Sequence, residues 1–78
     1  MNRTVAFDVM REASYAYEAS LLNLADNNKI NMQEYRDKYA AIEEEVRNVV
    51  REDPKEILKL ARHFEKKFRE LLVRIEQE

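Results

Sequence analysis

Apolar side chains recur through the second half of the chain at alternating steps of three and four, the repeat that lines one face of a helix. Met32, Tyr35, Tyr39, Ile42, Val46 and Val49 form one such seam. Ile57, Ala61, Phe64, Phe68, Leu71 and Ile75 form a second, flanked by Leu60 and Leu72, with Leu58 and Val73 off it and half exposed. Strict heptad seams of this kind belong to helices packed at shallow angles. Residues 5–25 read differently. Only four of these 21 residues are charged, against 23 charged residues in the last 47. A helix through 5–25 is apolar around most of its circumference, and such a helix is normally surrounded by others. Its main arc carries Phe7, Met10, Tyr17, Leu21 and Leu24. Ala6, Val9, Ala13, Ala16 and Ser20 lie beside it, small enough to let a neighbour approach closely.

The breaks between the three stretches are punctuated. Asn2 or Thr4 can cap the first helix. Asn27 and Asn28 tolerate left-handed backbone angles and end it. Asn31, followed by Glu34, makes a capping-box-like start to the second helix, with Ile30 placed as a hydrophobic staple toward Tyr35. Asp53-Pro54-Lys55-Glu56 is the clearest local signal: Asp53 as N-cap, Pro54 at the first helical position and Glu56 completing a capping box. The expectation is one all-α domain over residues 1–78, with helices at about 3–26, 32–51 and 54–77. They would form an up-down-up bundle in which an antiparallel hairpin of helices 2 and 3 packs on the apolar helix 1.

Composition supports an almost wholly helical chain: no Gly, one Pro, no Cys and no Trp in 78 residues. So short a chain buries a limited core, and oligomerisation is expected to supplement it. The net charge of −2 gives no global attraction to nucleic acid or anionic lipid. Its distribution is uneven, at −1 for residues 1–31, −3 for 32–53 and +2 for 54–78, so the last two segments should attract each other. No apolar run reaches the ~18–20 residues that span a membrane. Asp8, Arg11 and Glu12 interrupt what would be the apolar region of a signal peptide, so a cytoplasmic protein is expected.

Catalytic chemistry is poorly provided for. The single histidine, His63, has no Glu-x-x-His or His-Glu-x-x-His companions and reads as an exposed helix residue. Ser14 and Ser20 have nothing nearby in sequence to activate them. Glu43-Glu44-Glu45 resembles an acidic site, but helical spacing sends the three side chains in different directions, as on a solvated face. Residues 23–34 have the spacing of an EF-hand loop, with Glu34 at its last position. Ala25 cannot ligate there, Asn23 replaces the first carboxylate, and Glu34 alone would bring negative charge, too little for calcium. No enzyme activity, cofactor, metal or small-molecule substrate is expected. Glu18 needs an explanation of its own: it stands at an edge open to water, or it requires a partner such as Arg11 or a basic side chain of another chain.

Two surfaces remain as candidates. Tyr15, Ala19 and Leu22 form a second patch on the first helix that three helices would cover only in part, a surface for self-association or for a helical partner. Lys55, Lys59, Arg62, Lys66 and Arg69, spaced 4, 3, 4 and 3, form a basic stripe about 21 Å long on the far side of the third helix. The stripe suits an acidic protein partner or nucleic-acid phosphates, and it carries no stacking or base-reading residues. The leading expectation is a non-enzymatic module for protein–protein interaction or oligomerisation, a homodimer or a binder of helical proteins. The alternative is a small nucleic-acid-associated regulator using the stripe.

Overall fold

The structure, a computed structural model, describes residues 2–77, so Met1 and Glu78 of the expected domain lie outside it. Among the described residues there are three helices and no strand: α1 (Arg3–Asp26), α2 (Met32–Val49) and α3 (Pro54–Gln77). Each start is capped by the side chain expected there. Asn2 Oδ1 accepts from the Val5 N–H at 2.8 Å, Asn31 Oδ1 from Glu34 at 2.7 Å and Asp53 Oδ1 from Glu56 at 3.0 Å. Each satisfies one of the amide donors that a helix start leaves without an intrahelical partner.

The turn after α1 is a Schellman motif. Asn27 caps the helix and Asn28 takes φ 59°. Lys29 N–H then reaches back to the Leu24 carbonyl at 2.8 Å and Asn28 N–H to that of Ala25 at 3.1 Å. In a chain without glycine, asparagine takes the left-handed position because its short polar side chain tolerates it best. Ile30 follows and is buried, so the turn is held at both ends. α2 stops at Val49, two residues short of the expected Arg51, and Glu52 N–H closes a turn on the Val49 carbonyl at 2.9 Å. The chain must leave helical geometry there to let Asp53 cap the next helix.

The core is built chiefly between α1 and α3, whose contact is the most extensive of the three. Ala6 and Ala13 on α1 and Ala61 on α3 are buried, and their small side chains bring the helices close. Phe64, Met10, Leu21 and Ile57 are the largest side chains fully enclosed. Near the end of α3, Ile75 lines a small pocket with Asn23, Leu24 and Asn27 from the end of α1. α2 contributes only Ile42 and Val46 to the buried set and touches α1 more than it touches α3. The pairing that dominates is therefore α1 with α3, whereas the sequence had suggested a hairpin of helices 2 and 3. The physical reason lies in the seam of α2, where Met32 and Tyr39 stay substantially exposed. The Cα envelope measures 39 × 23 × 13 Å, wider than it is deep, as befits an α2 that stands off from α3.

Candidate functional site

The patch expected on α1 is at the surface. Tyr15 is 56% exposed and Leu22 38%, with Ala19 exposed between them. Tyr39 of α2, 41% exposed, adds to the apolar surface. Tyr15 is not loose: the Arg11 guanidinium carbon lies 4.2 Å from its ring centroid, one turn back along α1. That cation–π contact fixes an amphipathic ring at the surface.

The same arginine leads into the interior. Arg11 Nη1 and Nη2 donate to Glu43 Oε2 and Oε1 of α2 at 3.1 and 3.4 Å. Beside them Glu18 is buried, only 5% exposed. It is therefore no edge carboxylate open to water. Its Oε2 finds no donor among the described residues, and its hydrogen-bonding neighbour is the carboxyl of Glu43. Two carboxylates cannot share a hydrogen bond unless one carries a proton. Burial, then the hydrogen bond to Glu43 and its negative charge, push the Glu18 carboxyl up to about 8, with Arg11 opposing. Glu43 moves the opposite way, held down by the hydrogen bond from Glu18 and by Arg11, while its own burial opposes. The nearby Glu18 and Glu43 also push the Tyr39 hydroxyl up. Glu18 is thus the proton-bearing member of the pair at neutral pH, and Arg11, Glu43 and Glu18 together tie α2 to α1.

Glu43 was expected on a solvated face with Glu44 and Glu45. The structure separates them: Glu43 turns to α1, Glu44 pairs at the surface with Arg47 at 2.9 Å, and Glu45 faces α3. The local signal for Glu43 is its position one residue beyond Ile42 in the seam.

Because α2 and α3 touch sparsely, an open groove of about 690 Å³ runs between them. Its apolar floor is Val49 and Leu60. Glu45 stands on α2 and Glu52 in the turn after it, with Glu56, Lys59 and His63 along α3. Tyr17 of α1 sits half-buried nearby, its ring centroid 6.3 Å from that of Phe64. Burial, then the charges of Glu45 and Glu70, push its hydroxyl up, so carboxylates from both flanking helices lie within electrostatic reach of it.

All five side chains of the basic stripe are exposed. Lys59 lies 3.7 Å from Glu56, a surface pair worth little. Among the described residues, Lys55, Arg62, Lys66 and Arg69 make no ion pair. Nor does any group of three or more His, Asp or Glu side chains converge to hold a metal ion. No helix among those residues is long and apolar enough to cross a membrane.

No protein-family model matches this chain, and no curated protein or solved structure is detectably similar to it.

Proposed function

We propose that this protein is a small non-enzymatic module for protein–protein association, built as an up-down-up bundle and acting in the cytoplasm as a homo-oligomer or on a helical partner. The observation that carries the reading is the exposure of Tyr15 and Leu22 beside Ala19 on the most apolar helix of the chain. Three helices leave that face open, and exposed apolar patches with a fixed aromatic are where partners dock. The up-down-up order is supported by Ile75 and Leu24 lining one small pocket, which sets the ends of α1 and α3 side by side. The non-enzymatic reading is supported by Glu18, whose altered acidity is sealed between α1 and α2 and not presented to a substrate.

Light scattering behind a sizing column tests it, on the wild type and on Tyr15→Glu with Leu22→Lys. The double variant should lose assembly and keep its helicity. Unchanged assembly would remove this patch as the interface.

The second reading, a nucleic-acid-associated regulator, is favoured by one observation: the five cations of the stripe are all exposed on a single helix face. It requires salt-sensitive binding to mixed DNA or RNA that Lys59→Glu with Arg62→Glu abolishes. Absence of binding at low salt would discard it.

A further inference from the structure

Among the described residues, Glu18 Oε2 is the one buried side-chain oxygen or nitrogen without a hydrogen-bond partner. It lies on the side of α1 that α2 covers. Arg11, Ser14 and Glu18 are spaced 3 and 4, so they share one face of the helix. Arg11 turns from that face to Glu43 of α2, while Ser14 and Glu18 are enclosed, at 0% and 5% exposed. The donors that could answer a Glu18 carboxylate there are already engaged. Both terminal guanidinium nitrogens of Arg11 donate to Glu43, at 3.1 and 3.4 Å, and Ser14 Oγ donates to the Arg11 carbonyl at 2.9 Å.

A protonated Glu18 suits this seat, because it adds no charge to the Arg11–Glu43 pair and can donate to Glu43. An ionised Glu18 does not: it sets two carboxylates against one guanidinium and leaves a charged acceptor sealed from water. Burial, then Glu43, accordingly push the Glu18 carboxyl up to about 8, with Arg11 opposing. From α2 the groups within reach are Glu43 and Tyr39, with Arg47 acting on Glu43. Among the described residues no titratable group of α3 acts on it.

Water reaches Glu18 most easily if α2 lifts away. That helix gives the core only Ile42 and Val46 and touches α3 sparsely, whereas the contact of α1 with α3 is the most extensive. The turns at its two ends, residues 27–31 and 50–53, are exposed apart from Ile30. An element with so few buried apolar contacts opens before the rest of a fold.

We propose that α2 is a proton-latched cover on α1: with the Glu18 proton in place α2 stays seated, and when Glu18 releases it to solvent α2 opens as a unit while α1 and α3 remain paired.

Between about pH 4.5 and 8 the seated form holds a proton that the open form does not. Rising pH therefore favours opening up to about 8 and has no further effect above it. Glu43, lowered in the seated form, is ionised in both forms above pH 6 and adds no slope there. Opening uncovers Ile42, Val46 and the Arg11–Ser14–Glu18 face. Tyr15 and Leu22 stand four residues on from Arg11 and Glu18, about 40° round the helix, so the uncovered face borders their patch. The proposal goes beyond the association reading above and does not rest on it.

Hydrogen exchange of the full chain tests it, followed by mass spectrometry at pH 6 and pH 8 and corrected for intrinsic rates with the unfolded chain as reference. Protection of α2 should fall by at least about 10-fold over that range, and protection of α1 and α3 by much less. Glu18→Gln should hold the protection of α2 level. So should Glu43→Gln, which frees Arg11 for the Glu18 carboxylate and serves if the first variant fails to fold, with circular dichroism as the control. Histidine is the other side chain that titrates in this range, so His63→Gln should leave the fall intact. Four results would each overturn the cover: α2 protection that does not change in wild type, equal losses in all three helices, a fall that persists in both glutamate variants, or one that vanishes in His63→Gln.

Discussion

Both terminal guanidinium nitrogens of Arg11 on α1 are engaged by Glu43 on α2, at 3.1 and 3.4 Å, so the buried Glu18 beside them must hold a proton or remain unpaired. The groups that act on Glu18 are Arg11 of its own helix and Glu43 of α2, with Tyr39 of α2 also within electrostatic reach. No titratable group of α3 contributes to its shift. The cluster converts a contact between two helices into a dependence on pH.

The sign follows from linkage. Glu18 is raised from 4.5 to about 8, so between these values the folded chain binds a proton that the unfolded chain does not. Stability from this group is complete below about pH 4.5, falls as pH rises toward 8, and is level above. Glu43 is lowered, so its contribution is present above its unfolded value and is lost as pH falls through the folded one. The two together place maximal stability on the mildly acidic side, near pH 5. Urea unfolding should show a loss of about 1–3 kcal/mol between pH 5 and pH 8. A flat profile over that range would show that Glu18 is ionised and solvated.

Glu18→Gln separates the proton from the side chain. The amide can donate to Glu43 at every pH, and Arg11 keeps its carboxylate. The variant should be more stable than wild type at pH 8 by about 1 kcal/mol, and its slope between pH 5 and 8 should vanish. A variant less stable than wild type at pH 8, with the slope retained, would place the titration elsewhere.

Backbone strain offers a simpler handle at the α1–α2 turn. Asn28 holds φ 59° and is exposed, so its side chain is free to change. Asn28→Gly removes the residual cost of the left-handed position but adds unfolded-state freedom, so the net effect should lie within about 0.5 kcal/mol of zero. Asn28→Ala keeps the strain without the local polar side chain and should cost about 1 kcal/mol. Urea midpoints of the pair decide it: an alanine variant as stable as the glycine one would mean that the Schellman turn does not hold α1 and α2 together.

How much of this was legible beforehand follows the range of each interaction. The caps at Asn2, Asn31 and Asp53 act within three residues, and the helices start where those residues stand. The Tyr15–Leu22 patch and the stripe follow from helical periodicity, and both are exposed as the period implies. The pairing of Glu18 with Glu43 did not show, because it depends on the register between α1 and α2, which no local spacing encodes. The dominance of α1–α3 packing escaped for a related reason. Heptad seams on helices 2 and 3 are equally regular, and only the small residues Ala6, Ala13 and Ala61 favour one pairing over the other.

That unequal packing makes the last prediction. Phe64 is fully enclosed between α3 and α1, and Phe64→Ala should cost about 3–5 kcal/mol. A chain of 78 residues has only about 4–12 kcal/mol to lose, so this variant should be largely unfolded or close to it. Ile42 is as well buried, at 4% exposed, but it belongs to α2, which adds only Val46 beside it to the buried set. Ile42→Ala should cost about 2–3 kcal/mol, and the cost should fall unevenly. Amide exchange should speed up throughout α2 while α1 and α3 stay protected, because their mutual contact does not pass through Ile42. Exchange that rises equally in all three helices would mean that α2 is as integral to the core as its neighbours and that the bundle opens only as a whole.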